Sequence, residues 1–547
     1  MPETVLKLDP RDNVLVALTT LDLGTTVRLD PASSSTTCMV MQTIPAKHKM
    51  ALTDLKPGDL IFMYGMVVGE VVQAIPRGGL LTTQNIRHRA ADYTAARHPS
   101  THTLPDASPW AGRTFMGYHR ADGQVGTRNY WIVLPLVFCE NRNIENMREA
   151  LEEELGYGSA KSKYRQHVRE LIQRQGNGHS VSEEAAQARR ERVFPNLDGV
   201  RFLPHQGGCG GTRQDSQALC GLLAGYIHHP NVAGATVLSL GCQHAQASIL
   251  MEELRARDPQ LRKPVIIVDQ QSAGQESSLM QLALDKTFAG LAEANRAERA
   301  PAPLSALTVA LQCGGSDGFS GISANPTVGY ASDLVVGAGG TTILSEFPEL
   351  HGVEQELINR CTSDELAARF SGLMHTYAAA ARAVNSDFAF NPSPGNIRDG
   401  LITDAIKSAG AARKGGESPI SGVLDYPEYV SARGFNLQCT PGNDVESVTA
   451  QVGAGSNIVL FTTGLGTPTG NPIAPVIKVS TNTAMAERMS DIIDFDAGPI
   501  VRGESTIRES GEKLLEMAIE VASGERQTKA ELNNQRDFIP WKRGVSL

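Results

Sequence analysis

Phe202–Gln217 reads FLPHQGGCGGTRQDSQ, a short apolar run that breaks into Gly207, Gly208, Cys209, Gly210 and Gly211 before a polar segment able to open a helix. Glycines on either side of a thiol let the backbone turn sharply and approach a ligand while leaving the sulfur uncovered. His205 stands shortly before the cysteine, and Thr212, Arg213 and Asp215 follow it. A soft ligand, an imidazole, a fixed cation and several backbone N–H groups in so short a stretch suit a small anion held beside a metal. A tight strand-to-helix turn around a buried thiol would use the same residues.

Recurrence gives the stretch its weight. ATVLSL, from Ala235 to Leu240, reads as a buried strand and stops at Gly241-Cys242. SALTVAL, from Ser305 to Leu311, stops at Gln312-Cys313-Gly314-Gly315. The apolar run from Tyr130 to Phe138 also ends on a thiol, Cys139, although Pro135 argues against a central strand there. Helical patterns separate these runs, which predicts an α/β fold with a largely parallel sheet. Such sheets bind ligands at the carboxyl ends of their strands, so thiols at several strand ends can converge.

Composition narrows the class. With 547 residues, 53 glycines, 20% charged residues and 5% aromatics, the chain reads as a multidomain globular protein rich in tight turns. Its 50 Lys+Arg against 59 Asp+Glu disfavour a nucleic-acid or membrane surface as partner. No apolar run approaches the roughly 20 residues a bilayer span needs, and MPETVLKLD lacks the features of a signal peptide, so the cytoplasm is expected. Eight cysteines thinly spread read as thiols or metal ligands rather than a disulfide framework.

In order along the chain, residues 1–92 are Val-rich, β-prone and punctuated by glycines, a small all-β domain whose loaded segment is Lys47-His48-Lys49. Residues 93–113 read as a Pro/Ser/Thr linker between independently cored units. Residues 114–300 form an α/β domain with a charged helical insertion over 146–195, and 301–547 a second α/β domain. In Gly464-Leu-Gly466-Thr-Pro468 the spacing misses the dinucleotide fingerprint, and no Cys-x-x-Cys supports structural zinc.

Taken together, the motifs resemble a known family. His48-Lys49 with Ala51-Leu52-x-Asp54, Gly117-Tyr118 through Asp122-Gly123-x-Val125-Gly126-Thr127, Gly208-Cys209-Gly210, Gly241-Cys242, Cys313-Gly314-Gly315-Ser316-Asp317-x-Phe319-Ser320-Gly321, Asn391-Pro392-Ser393-Pro394-Gly395-Asn396 and Thr462-Thr463-Gly464-x-Gly466-Thr467-Pro468 resemble the altronate/galactarate dehydratases, over nearly the whole chain. GGCGGTRQ and SEFPELHGVEQEL look most like its altronate branch. The resemblance implies a β-clip domain of the antifreeze-like (SAF) type at the N-terminus, a Rossmann-like last domain and a homodimer. It also implies dehydration of a sugar acid, D-altronate giving 2-dehydro-3-deoxy-D-gluconate, with Fe2+ replaceable by Mn2+.

Removing the proton beside a carboxylate and expelling the neighbouring hydroxyl needs an acid, a base and an electrophile. His48, His205, Cys209, Cys242 and Cys313 are the candidate ligands; the resemblance favours simple ferrous iron, and three strand-end thiols keep an iron–sulfur cluster as the alternative. Asp317, Glu346 and Lys478 are the candidate acid/base groups, although capping of turns and helix ends would also use such residues. Arg128 and Arg213 are candidates to clamp the carboxylate, with Thr212, Thr463 and Asn471 bonding the remaining oxygens. Galactarate or sulfolactate as substrate stays open, as does a nucleotide-dependent oxidoreductase.

Overall fold

The structure, a computed structural model, describes residues 4–28, 37–99, 103–158, 162–174 and 191–546. Among the described residues of the first 92, regular structure is entirely β: antiparallel sheets of Val5–Leu6, Val14–Ala17 and Lys49–Ala51, of Leu60–Met63, Met66–Val71 and Ile86–Arg87, and a Thr26–Arg28/Thr37–Met39 pair. Many short β-branched runs broken by glycines leave each strand few residues to pair before it turns.

A four-stranded parallel sheet follows, ordered Gly199–Phe202, Tyr130–Pro135, Val232–Ser239, Val265–Asp269. Its strand Tyr130–Pro135 is interior after all, because Pro135 is its last residue and breaks no ladder in the middle. Successive side chains serve two cores, Ile132 and Leu134 on one face, Trp131 and Val133 on the other. Burial on both faces is why the run is continuously apolar. The expected insertion over 146–195 contributes helices Asn141–Glu154 and Ser162–Arg174, and its part from 175 to 190 lies outside the described residues.

The third sheet has seven strands, ordered Ile420–Leu424, Gly434–Gln438, Thr341–Leu344, Thr308–Cys313, Ile458–Thr463, Val476–Ser480, Phe495–Asp496, with every pairing parallel. The chain builds outward from Thr308–Cys313 to one side, then returns to its other side with Ile458–Thr463. A crevice opens between two such strands at their carboxyl ends, where connections leave in opposite directions.

The cores expected to be separate on either side of the 93–113 linker are partly shared: Val5, Leu15, Leu21, Val27 and Ile44 form a cluster within the β domain, while a second cluster crosses to the last domain. Val14, Ala51, Ile61, Met63 and Leu81 of the β domain belong to the same buried cluster as Leu311, Phe319, Leu344 and Ile406 of the last domain. The linker is held as well: Tyr93 stacks on His375, and Thr94 and His98 donate backbone N–H groups to Gln355 and Asn359. The helix Glu276–Ala294 is followed by Ala300–Pro303, a strand paired with Thr114–His119. The two prolines there sit at an edge, where a missing N–H costs no ladder bond.

Candidate active site

Thr308–Cys313 delivers Cys313 to the carboxyl edge of the seven-stranded sheet, and Asp317 follows shortly after Gly314-Gly315. Next to it, Thr341–Leu344 ends just before Glu346, which adopts a left-handed backbone (φ 66°, ψ 55°) although it is not glycine. Such strain persists where surrounding bonds over-determine it. The Glu346 N–H donates to Thr440 Oγ1 (2.9 Å), and Gln312 Nε2 donates to Glu346 Oε1 (2.7 Å).

Two lysines close the cluster. Lys414 Nζ lies 2.6 Å from Cys313 Sγ and 2.9 Å from Glu346 Oε2, while Lys407 Nζ reaches Glu349 Oε1 at 2.6 Å and Asn391 Oδ1 at 2.8 Å. Cys313 Sγ is also 3.3 Å from Glu349 Oε2. Burial pushes Glu346 up to about 7, with Lys414 pulling against it and Glu349 adding to the rise. Burial likewise raises Glu349, but Lys407 and Lys414 outweigh it and hold this carboxyl below its usual range. Two carboxylates a few residues apart are thus driven in opposite directions, the pattern that separates proton-accepting from charge-holding roles.

Asp317, which follows Cys313 in the next turn, has no exposed surface. Its carboxylate accepts from the Phe319 N–H (3.1 Å) and Thr481 Oγ1 (3.0 Å), and Lys47 Nζ, from the β domain, sits 2.9 Å from Oδ2. Lys47 is also 2.9 Å from Asp399 Oδ1 and is itself left-handed (φ 75°). Gly464 is required on the adjoining strand end, because a Cβ there would run into the Asp317 carboxyl. Thr463 is buried at the same strand end, its Oγ1 accepting from the Gly466 and Thr467 N–H groups.

The thiols divide between the two sheets. Cys209 and Cys242 are exposed at the carboxyl edge of the four-stranded sheet, and the third sulfur there is Cys139. Backbone bonds tie the three turns together: Phe138 N–H to Gly207 O (3.1 Å), His244 N–H to Cys209 O (3.2 Å), Ala245 N–H to Gly208 O (3.1 Å). Gly208 is left-handed (φ 95°) and so close to Leu136 O that no side chain fits. Burial raises the Cys139 thiol, and its neighbours Cys209 and Cys242 add to the rise. Cys209 also lines a cleft of about 740 Å³ with Phe138, Gln206, Trp541, Lys542 and Glu446.

Several expected site residues have other work. Cys313 is buried in the other sheet and spoken for by Lys414, so it cannot complete the Cys209–Cys242 group. His205 is buried with both ring nitrogens engaged, Nε2 on Pro135 O (2.8 Å) and Nδ1 accepting from the Gly207 N–H (3.1 Å), and burial lowers it to about 4. In this arrangement it braces the glycine turn. His48 Nε2 is on Arg398 O (3.1 Å), which seats the β domain on the last one.

Lys478 lies inside strand Val476–Ser480, with Nζ on Gln535 Oε1 (2.6 Å), and burial lowers it to about 8. Arg128 is at the amino end of its strand, opposite the thiols, and forks onto Glu531 at 2.7 and 3.0 Å. Thr212 caps the helix Arg213–His228, accepting from the Asp215 N–H (3.1 Å), and Arg213 is exposed on that helix's first turn. Asn471 bonds Tyr226 Oη (3.0 Å) and the N–H groups of Ile473 and Ala474.

Lys47, Glu349, Lys407 and Lys414 were not expected at the site. Lys47 and Glu349 stand inside quoted motifs, KHK and SEFPELHG, whereas Lys407 and Lys414 sit in an ordinary helix-like run, ITDAIKSAGAARKGG, with no local signal. The donor chemistry also tests the implied iron. The set Cys313, Glu346 and Glu349 has its ligand atoms within 4.8 Å of one another, but its donors are neutralised by Lys414 and Lys407, so it does not fit a cation. Cys139, Cys209 and Cys242 are three exposed sulfurs on one rim, the donor type an iron–sulfur cluster takes.

Fold and site define a multidomain α/β protein with buried titratable groups gathered at the carboxyl ends of the strands of its seven-stranded sheet. Three family models match in succession: the altronate/galactarate dehydratase SAF domain over residues 3–89, the D-galactarate dehydratase/altronate hydrolase second domain over 117–295, and the D-galactarate/altronate dehydratase C-terminal domain over 304–546. The chain belongs to the altronate/galactarate dehydratase family. It is 33% identical to altronate dehydratase of Escherichia coli K12, over 99% of each chain, and 32% identical to altronate dehydratase of Bacillus subtilis 168, over 100% of each. To galactarate dehydratase (L-threo-forming) of Escherichia coli K12 it is 32% identical, over 91% of this chain and 90% of that one.

Proposed function

We propose that this protein is a hydro-lyase that removes water from D-altronate to give 2-dehydro-3-deoxy-D-gluconate. The observation that carries the chemistry is Glu346, buried, strained in its backbone, and raised to about 7 between Lys414 and Glu349. A carboxylate poised near neutrality can take the C2 proton and give it up again. The C3–O bond then breaks, the hydroxyl leaves as water with one proton, and the enol becomes the 2-keto acid, so no oxidant or reductant is consumed. Lys47, held between Asp317 and Asp399 at 2.9 Å from each, positions the Asp317 carboxylate, while Arg213 stays the candidate to meet the substrate carboxylate.

What iron supplies when bound is polarisation of the carboxylate and of the departing hydroxyl. Cys139, Cys209 and Cys242 would hold it in cluster form. The Rossmann-like reading of the last domain rests on its parallel order and the crevice beside Thr308–Cys313. A homodimer and a cytoplasmic site belong to the same reading, and sedimentation velocity tests the first. Among the described residues no helix is long and apolar enough to cross a membrane.

The deciding experiment is a keto-acid assay on anaerobically purified protein with D-altronate, galactarate and sulfolactate. Product from altronate at a kcat/KM at least tenfold above the others is expected. Preference for galactarate or sulfolactate would move the chain within the family, and no keto product from any of them would end the lyase reading.

A further inference from the structure

Where the β domain meets the last domain, three potential ligands converge that the acid/base cluster does not use. A ring nitrogen of His88, a ring nitrogen of His351 and a carboxylate oxygen of Asp404 lie within 4.8 Å of one another. His88 follows the last strand of the β domain, Ile86–Arg87. His351 follows the short helix Phe347–Leu350 that carries Glu349, and Asp404 opens the helix Asp404–Ala412 that carries Lys407. The three arrive from separate parts of the chain, so their meeting is made by tertiary structure.

Asp404 is the unusual member. It is 1% exposed, and neither of its carboxylate oxygens has a hydrogen-bond partner. A buried carboxylate without a partner is costly unless something positive meets it. Lys407, near enough to act on it electrostatically, gives its bonds to Glu349 and Asn391 instead. The imidazoles are set up differently. His351 Nδ1 is 3.0 Å from Glu354 Oε1, and that carboxylate, which also accepts from the Gly352 N–H (2.7 Å), fixes Nδ1 as the protonated nitrogen. The lone pair is then on Nε2, the arrangement in which an outer carboxylate orients a metal-binding histidine. The His88 ring lies against that of His351, with centroids 5.3 Å apart, and its contact from the Ala405 N–H at 3.4 Å is too long to fix its tautomer.

We propose that His88, His351 and Asp404 bind a divalent transition-metal cation, ferrous iron or manganese, at the junction of the β domain and the last domain. Two imidazoles and one carboxylate, with further positions open, suit these ions and differ in kind from the thiol rim. The site stands on its own geometry. Its use in turnover rests on the proposed dehydration, whose groups it adjoins: His351 directly follows the short helix of Glu349, and Asp404 opens the helix of Lys407.

Binding is tested separately from activity. Purified full-length protein, stripped of metal, is titrated anaerobically with Mn2+, following bound metal per chain by electron paramagnetic resonance and thermal midpoint by calorimetry. The expected result is a tight Mn2+ per chain that raises the midpoint. Affinity should fall at least tenfold in Asp404→Asn and in His88→Gln, and stay unchanged in a Cys139/Cys209/Cys242→Ser variant. Asp404→Asn should also raise the midpoint of the metal-free protein, because it removes a buried carboxyl that has no hydrogen-bond partner. Unchanged Mn2+ affinity in both Asp404→Asn and His88→Gln, or loss confined to the cysteine variant, overturns the site. Binding as expected without turnover of altronate leaves the site standing and sinks the proposed function.

Discussion

Lys47 Nζ, carried by the N-terminal β domain, lies 2.9 Å from Oδ2 of Asp317, a carboxylate with no exposed surface in the last domain. The pair places a charge of one domain against a buried carboxylate of another. Lys47→Met should lower kcat/KM at least a hundredfold and cost about 3 kcal/mol of stability, because it leaves a buried carboxylate short of its cation. Turnover assays with urea unfolding check both. Removal of residues 1–92 should give an insoluble or molten product, since the shared cluster of Met63, Leu311 and Phe319 would be cut open.

Glu346 should set the acid limb of the rate profile. As the base it must be ionised, so kcat/KM should fall as pH drops below about 7, the value to which burial pushes it. Glu346→Gln should lose about a thousandfold in kcat, at the scale of general base catalysis, while keeping its circular dichroism. Asp444, also raised to about 7 by burial and by Glu346, separates the assignments. If Asp444→Asn shifts the limb and Glu346→Gln retains turnover, the base is Asp444.

On the thiol rim, Cys139→Ser, Cys209→Ser and Cys242→Ser should each lose iron and inorganic sulfide together. Cys220→Ser and Cys361→Ser should not, because both thiols are buried within local packing, Cys220 in the helix Arg213–His228 and Cys361 bonding Leu357 O (3.5 Å). Serine keeps size and polarity but is a poor soft ligand. Sulfide-free wild-type protein with full activity would exclude the cluster.

Lys49 gives a pH dependence of stability. It is fully buried, with Nζ on Gly400 O (2.6 Å) and Lys47 O (3.0 Å), and burial lowers it to about 7 while Asp317 resists. Between pH 7 and the ordinary value of 10.5 the unfolded chain binds a proton here that the folded chain does not. This group therefore costs stability in full below pH 7, and the cost fades as pH rises toward 10.5. The stability of Lys49→Met relative to wild type should drop steadily from pH 7 to 10 in urea titrations. A difference that stays flat with pH would contradict the buried charge.

Arg128 should prove structural. Its bidentate pair with Glu531 ties the strand start to the helix Lys529–Leu532, so Arg128→Met should cost about 3 kcal/mol and leave KM for altronate unchanged. A raised KM at unchanged stability would return this arginine to the substrate.

What the sequence determined by itself was whatever is written locally. Alternating apolar and glycine-punctuated runs specify strands that end at turns, which marked Cys139, Cys209, Cys242, Asp317 and Glu346 as carboxyl-edge residues. Motif spacing over the whole chain carried the family. Which edge residues meet was decided by tertiary structure, because sheet membership and crossover connections are not local. Cys313 and Cys209 share the same punctuation yet stand on different sheets. Lys47, Lys407, Lys414 and the His88–His351–Asp404 group acquire their chemistry from partners distant in sequence. Their charges are tolerated in the interior because folding supplies, or leaves room for, the opposite charge.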